Sequence, residues 1–90
     1  MKKQLHVLFS GTVQGVGFRY TAQRLARRFS VTGFVKNLPN GKVELAAEGE
    51  EKDLQGFLGA VQGEFNSFIR DADIQWKEPA GSYQSFSIAF

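Results

Sequence analysis

The chain contains no cysteine. That absence excludes a disulfide framework, thiolate chemistry and any zinc site built on sulfur. Histidine occurs once, at His6, so no His/Cys cluster is available to hold a metal. Proline occurs twice, at Pro39 and Pro79, and both sit in turn-like stretches. Long apolar runs are also missing. The run after Met1-Lys2-Lys3 breaks at Ser10-Gly11, too early for a signal peptide, and no other run approaches membrane-spanning length. A soluble cytoplasmic protein is expected, with no membrane partner. Charge of one sign is not dense either: 11 Lys and Arg against 9 Asp and Glu leave a net +2. Such an excess attracts small anions but lacks the basic stripe of a duplex-DNA binder. There are no repeats, no low-complexity segment and no internal linker, and 90 residues suffice for one modest core. A single domain over residues 1–90 is expected, and a monomer is the default.

What the chain does have is the stretch Gly11-Thr12-Val13-Gln14-Gly15-Val16-Gly17-Phe18-Arg19. It follows a strand-like run and opens into a basic amphipathic helix. Gly15 and Gly17 allow positive φ and close backbone approach to a ligand. Successive N–H groups at a helix N-terminus form an anion cradle. Arg19, near the first helical turn, can fork onto phosphate oxygens. Two familiar phosphate motifs fail: no Gly-Lys-Ser/Thr follows, and the third glycine of the dinucleotide fingerprint is absent. Two readings are left: a glycine-rich strand-to-helix turn that binds nothing, and an oxyanion site, most simply for phosphate, which Arg19 immediately after the glycines favours.

The rest of the chain alternates between period 2 and period 3.6. Gln4 to Ser10 reads as a strand with Leu5, Val7 and Phe9 on one face; His6 reads as a surface or edge residue. Tyr20 to Phe29 reads as a helix burying Ala22, Leu25, Ala26 and Phe29. Arg27 and Arg28 in its last turn complement the macrodipole. Val31 to Leu38 and Lys42 to Glu48 are strands joined through Pro39-Asn40-Gly41, a hairpin signal. Glu44 and Glu48 are expected on a solvated face, opposite Val43, Leu45 and Ala47. A second helix starts in Gly49–Asp53 and ends between Val61 and Asn66, with Leu54, Phe57, Leu58, Val61 and Phe65 as its stripe. Gly56, Gly59 and Gly63 should each weaken it by roughly 1 kcal/mol relative to Ala. Phe68 to Lys77 is a fourth strand. After a turn at Pro79-Ala80-Gly81, Tyr83 to Phe90 is a last short strand, with Phe86, Ile88 and Phe90 on one face.

That order predicts an α+β fold, the ferredoxin-like βαββαβ sandwich: two helices on one face of a mostly antiparallel sheet, with a short extra C-terminal strand. Following strand directions through a crossover, a hairpin and a second crossover brings three features to one rim: the glycine loop, Asn37 and Phe90. Asn offers a donor and an acceptor without charge. Beside a phosphate it can hold a water; the alternative is a strand-end Asn that caps the adjacent turn.

The glycine stretch, followed by Gly33-Phe34-Val35-Lys36-Asn37 and Asn40-Gly41, resembles the acylphosphatase family, and the resemblance runs the length of the chain. It implies a ferredoxin-like enzyme that hydrolyses the carboxyl–phosphate anhydride of small acyl phosphates to carboxylate and inorganic phosphate, with no metal or organic cofactor. Carried over by motif, the backbone N–H groups of Gln14, Gly15, Val16, Gly17, Phe18 and Arg19 would wrap the phosphate. The catalytic residues would be Arg19, binding its oxygens, and Asn37, orienting the attacking water. Phe34 stands where Trp is common, which should affect packing alone. Ser30 stands where a helix-ending Gly is common, so that turn is expected to be strained. The Phe90 carboxylate is expected to pair with Arg19.

The alternative is a non-catalytic phosphate-binding or RNA-binding ferredoxin-like module. An RNA platform stacks bases on sheet aromatics. The chain has nine Phe, but no stretch matches the aromatic-glycine signature, so no nucleic-acid partner is expected. A carbamoyl-phosphate-handling module of a larger maturation enzyme is a further option. The initial Met1 and the lack of a trailing linker favour a stand-alone protein.

Overall fold

Alternation and helical periodicity fold this chain where they predict strands and helices. The structure, a computed structural model, describes all residues from Met1 to Phe90. In order it forms β1 (Lys2–Gly11), α1 (Phe18–Phe29), β2 (Thr32–Asn37), β3 (Val43–Glu50), α2 (Glu51–Glu64), β4 (Ile69–Lys77) and β5 (Phe86–Ala89). The strands lie side by side as β4-β1-β3-β2-β5. All pairings are antiparallel except the parallel contact of β2 with β5. This is the expected βαββαβ arrangement with its added strand.

Both helices cover one face. From the sheet, Leu5, Val7, Phe9, Val35, Val43, Leu45 and Ala47 are fully or almost fully buried. They meet Ala22, Leu25 and Ala26 of α1 and Leu54, Phe57 and Val61 of α2. These are the residues that the period-2 and period-3.6 patterns single out, because apolar area removed from water drives each element to present one face. Gly56 departs from expectation. A Cβ there would lie 2.6 Å from Cε1 of Phe29, so this glycine closes the helix pair rather than merely weakening α2, which runs unbroken to Glu64.

Several expectations need correction. The first helix starts at Phe18 rather than Tyr20, because Gly17 at φ 80° turns the chain directly into it. His6 is not at an edge: β1 has a neighbour on each side. Its Nε2 lies 2.9 Å from Oε2 of Glu44 on the face away from the helices. Glu48 is not solvated; it is 7% exposed. It accepts the backbone N–H groups of Ala80 (2.6 Å) and Gly81 (3.0 Å) and the side-chain amide of Gln4 (2.7 Å). Burial pushes its carboxyl up, but those three donors together hold it below the usual carboxylate range. The last strand begins at Phe86 rather than Tyr83, because its partner β2 begins only at Thr32, and Gly33 pairs with Phe86. Phe90 lies beyond that strand and is 90% exposed, so it does not share the inward face of Phe86. Ser30 adopts φ 57°, the left-handed conformation expected from the missing glycine.

Candidate active site

The loop after β1 is anchored from below by aromatic packing. Phe18, the first residue of α1, is buried. Its ring centroid lies 5.0 Å from Phe9 and 4.5 Å from Phe65. Val16 packs partly against the same core. With Phe18 fixed, Arg19 falls in the first helical turn, half-buried at the surface. Gly15 and Gly17 stand at φ 79° and 80°, and a Cβ on either would meet nothing within 4 Å. Their role is conformational: they hold backbone angles that residues with a side chain rarely adopt.

The amides of this loop are free. None of the backbone N–H groups from Gln14 through Arg19 donates to another group of the chain, and no side chain caps the helix. Arg19 likewise forms no ion pair within the protein; the ion pairs involve Glu50, Glu44 and Glu64. A run of unsatisfied N–H donors, a helix N-terminus and a guanidinium without a counter-ion form a strongly anion-selective surface. They surround a cleft of about 190 Å³ whose walls include Gly15, Gly17, Phe18, Arg19 and Asn37. The sequence reading missed Val13 and Tyr20, which also line it. Tyr20 follows Arg19 in the same helical turn, which was the available signal; Val13, fully buried, gave none.

Asn37, the last residue of β2, completes the cleft. Its Oδ1 is buried and accepts no hydrogen bond from the protein. A buried carbonyl oxygen left so is costly unless a donor reaches it, and a water in the cleft is such a donor. Of the predicted loop residues, Gln14 and Val16 do not line the cleft. The side chain of Gln14 turns away from it, donating to the carbonyl oxygens of Leu38 (2.8 Å) and Lys42 (2.9 Å). The contact at the chain end also differs from expectation. The ring of Phe90, not its carboxylate, meets Arg19, with the guanidinium carbon 5.3 Å from the ring centroid.

A larger cleft, about 390 Å³, lies at the other end of the sheet, but its walls carry Glu48, Glu50 and Asp53. Three carboxylates against one lysine, Lys2, leave that cleft net negative, so it repels a phosphate dianion in spite of its size.

Residues 5–88 match the family model described as acylphosphatase. The chain belongs to the acylphosphatase family. It is 44% identical to the acylphosphatase of Archaeoglobus fulgidus over 96% of this chain and 97% of that protein. Among solved structures it is similar to the acylphosphatase of Bacillus subtilis, with a TM-score of 0.90, 38% identity and complete coverage of both chains. It is also similar to part of full-length HypF, solved with phosphate and nucleotide bound. That match has a TM-score of 0.86 and 26% identity, and covers all of this chain and 12% of that one. These acylphosphatase relatives are matched over nearly their whole length.

Proposed function

We propose that this member of the family hydrolyses small acyl phosphates at the cleft between the 14–19 loop and Asn37. The observation that carries the reading is the pairing of an empty-handed amide ribbon and Arg19 with a buried, unpartnered Asn37 oxygen in one cleft. The phosphoryl group sits in the ribbon. Its equatorial oxygens take the N–H groups of residues 14–19 and the fork of Arg19, which stabilise the charge of the transition state in a preset geometry. Asn37 is no base at neutral pH. Its Oδ1 accepts a hydrogen bond from the attacking water and aims the water oxygen at phosphorus. The new P–O bond forms as the bond to the acyl oxygen breaks, in line.

No general acid is called for. The leaving group is a carboxylate whose acid has a pKa near ~4, so it departs unprotonated at neutral pH. The equation balances as acyl phosphate dianion plus water giving carboxylate and dihydrogen phosphate. No step in this scheme calls for a metal or an organic cofactor.

The same reading takes residues 1–90 as one domain working as a cytoplasmic monomer, with acyl phosphate and inorganic phosphate as its only ligands. Against an RNA platform stands the exposed sheet face. Its central strands present Gln4, His6 and Leu8 from β1 and Glu44, Ala46 and Glu48 from β3. Glu44 there repels phosphate, and Glu48 is buried. The Phe34 ring that β2 adds beside Ala46 is packed against Tyr83, with ring centroids 6.0 Å apart, so the face offers no open stack for bases.

A continuous assay with benzoyl phosphate tests the proposal, run with and without chelator and with inorganic phosphate as competitor. Turnover unaffected by chelator and competitively inhibited by phosphate is expected. Asn37→Ala should keep the phosphate inhibition constant within about threefold while lowering kcat by about 10²-fold or more, the scale of lost positioning. An Asn37→Ala variant with full kcat would remove Asn37 from the mechanism.

A further inference from the structure

The glycine loop and Asn37 must be held in register with each other, yet the sheet does not join them directly. The loop follows β1, Asn37 ends β2, and β3 lies between those two strands. Within the sheet, backbone pairing therefore links the two segments to each other only through β3. Gln14 spans the gap. Its Nε2 donates to the carbonyl oxygens of Leu38 at 2.8 Å and Lys42 at 2.9 Å. Leu38 is the residue after Asn37. Its own N–H donates to the same Lys42 oxygen at 2.9 Å, and Gly41 N–H donates to the Leu38 oxygen at 3.1 Å. The two carbonyls that close the hairpin are thus the two that the loop holds. Both hydrogens of a primary amide are used, and only the NH₂ end of the side chain can face two carbonyl oxygens.

We propose that the side chain of Gln14 is a positioning residue: it locks the phosphate loop to the hairpin and so sets the distance between the bound phosphorus and the water aimed by Asn37. This rests on the acyl phosphate reading above. It assigns to the Gln14 side chain, which lies outside the cleft, a role separate from the one proposed for its backbone N–H. A loop freed from the hairpin still offers its amides and Arg19 to phosphate. What it loses is the alignment of nucleophile and phosphorus, and a misplacement of about 1 Å costs on the order of 10²-fold in rate.

The test is a double-mutant cycle on the full chain. Gln14→Met keeps length and removes the donors. It should lower kcat by about 10- to 100-fold while KM and the phosphate inhibition constant move less than about threefold. Combined with Asn37→Ala, it should cost less than about twofold more, because the group it positions is gone. Gln14→Asn, one methylene short of spanning both carbonyls, should fall between, and it supplies the reading if the Met variant does not fold by circular dichroism. Unchanged kcat would overturn the proposal. So would losses that multiply in the double variant, or a collapse of phosphate affinity with kcat retained. If the unsubstituted protein hydrolyses no acyl phosphate, the function itself fails; if it does and the cycle is additive, only the role of Gln14 fails.

Discussion

Replacing Arg19 with Ala separates function from stability more sharply than any other single change. Suppose Arg19 makes two charge-assisted hydrogen bonds to the phosphoryl oxygens, each worth about 1.5–3 kcal/mol. Removing them then costs about 3–6 kcal/mol of binding to the reacting group, roughly a 10²- to 10⁴-fold loss in kcat/KM. Stability should respond quite differently. Arg19 has no carboxylate partner in the folded protein. It sits in the first turn of α1, which holds no acidic residue, so its charge opposes the macrodipole by about 0.3–1 kcal/mol. The Phe90 ring over the guanidinium offsets that by about 0.5–1 kcal/mol.

The two terms nearly cancel. Arg19→Ala should therefore melt within about 4 °C of the native chain, the shift that about half a kilocalorie produces in a domain of this size. The assays are benzoyl phosphate turnover, competitive inhibition by inorganic phosphate, and thermal melting in phosphate-free buffer. Arg19→Lys keeps the charge and loses the fork, and should recover only part of the rate. A phosphate inhibition constant within threefold of native in Arg19→Ala would refute the placement of the anion. A melting point lowered by 10 °C or more would show that the arginine is structural and that lost activity follows from unfolding.

Three other outcomes are expected. Phe90→Ala removes a cation–π contact at an exposed site worth about 0.5–1 kcal/mol, so KM should rise about two- to fivefold; amidating the C-terminus should leave KM unchanged, because the ring and not the carboxylate meets Arg19. Ser30→Gly relieves a non-glycine residue at φ 57° and should stabilise the fold by about 1 kcal/mol in urea unfolding. The carboxyl of Glu48 is held below its ordinary range in the folded chain. Its contribution to stability is therefore complete above the unfolded pKa and is lost as pH falls through the lower, folded value. Glu48→Gln should melt well below the native chain at neutral pH, and the gap should narrow as pH falls below the ordinary carboxylate range; a constant gap would mean that the carboxylate charge contributes nothing.

The strands, the helices and the shared rim of loop, Asn37 and Phe90 were legible because each rests on local signals. Period 2 and period 3.6 fixed the faces, Pro39-Asn40-Gly41 fixed the hairpin, and crossover handedness fixed which ends meet. The roles of Glu48, Gln14 and the Phe90 ring were not legible, for one physical reason. Each acts on atoms distant in sequence, and for Glu48 and Gln14 those atoms are mostly backbone amides or carbonyls, which every residue possesses. No spacing of residue types marks which carboxylate will be buried under which loop. Glu44 and Glu48 share a strand face and a parity, yet one pairs with His6 and the other is drawn inward by the N–H groups of Ala80 and Gly81.

The contrast between the two ends of the sheet explains why glycines alone could not name the site. Pro79-Ala80-Gly81 and Gly15-Val16-Gly17 are both turns with glycine at positive φ, Gly81 at 73° and Gly15 and Gly17 near 80°. Backbone N–H groups are exposed by both, and both therefore attract an anion. At the first turn the chain supplies the anion itself, through Glu48, and the donors are spent on holding β5 and its lead-in to the sheet. At the second turn no internal carboxylate reaches the ribbon, and Arg19 adds a cation where the helix would favour an acid. One nest is filled and the other is left open against the dipole. On the reading proposed above, the phosphoryl group of an acyl phosphate fills the second nest as Glu48 fills the first.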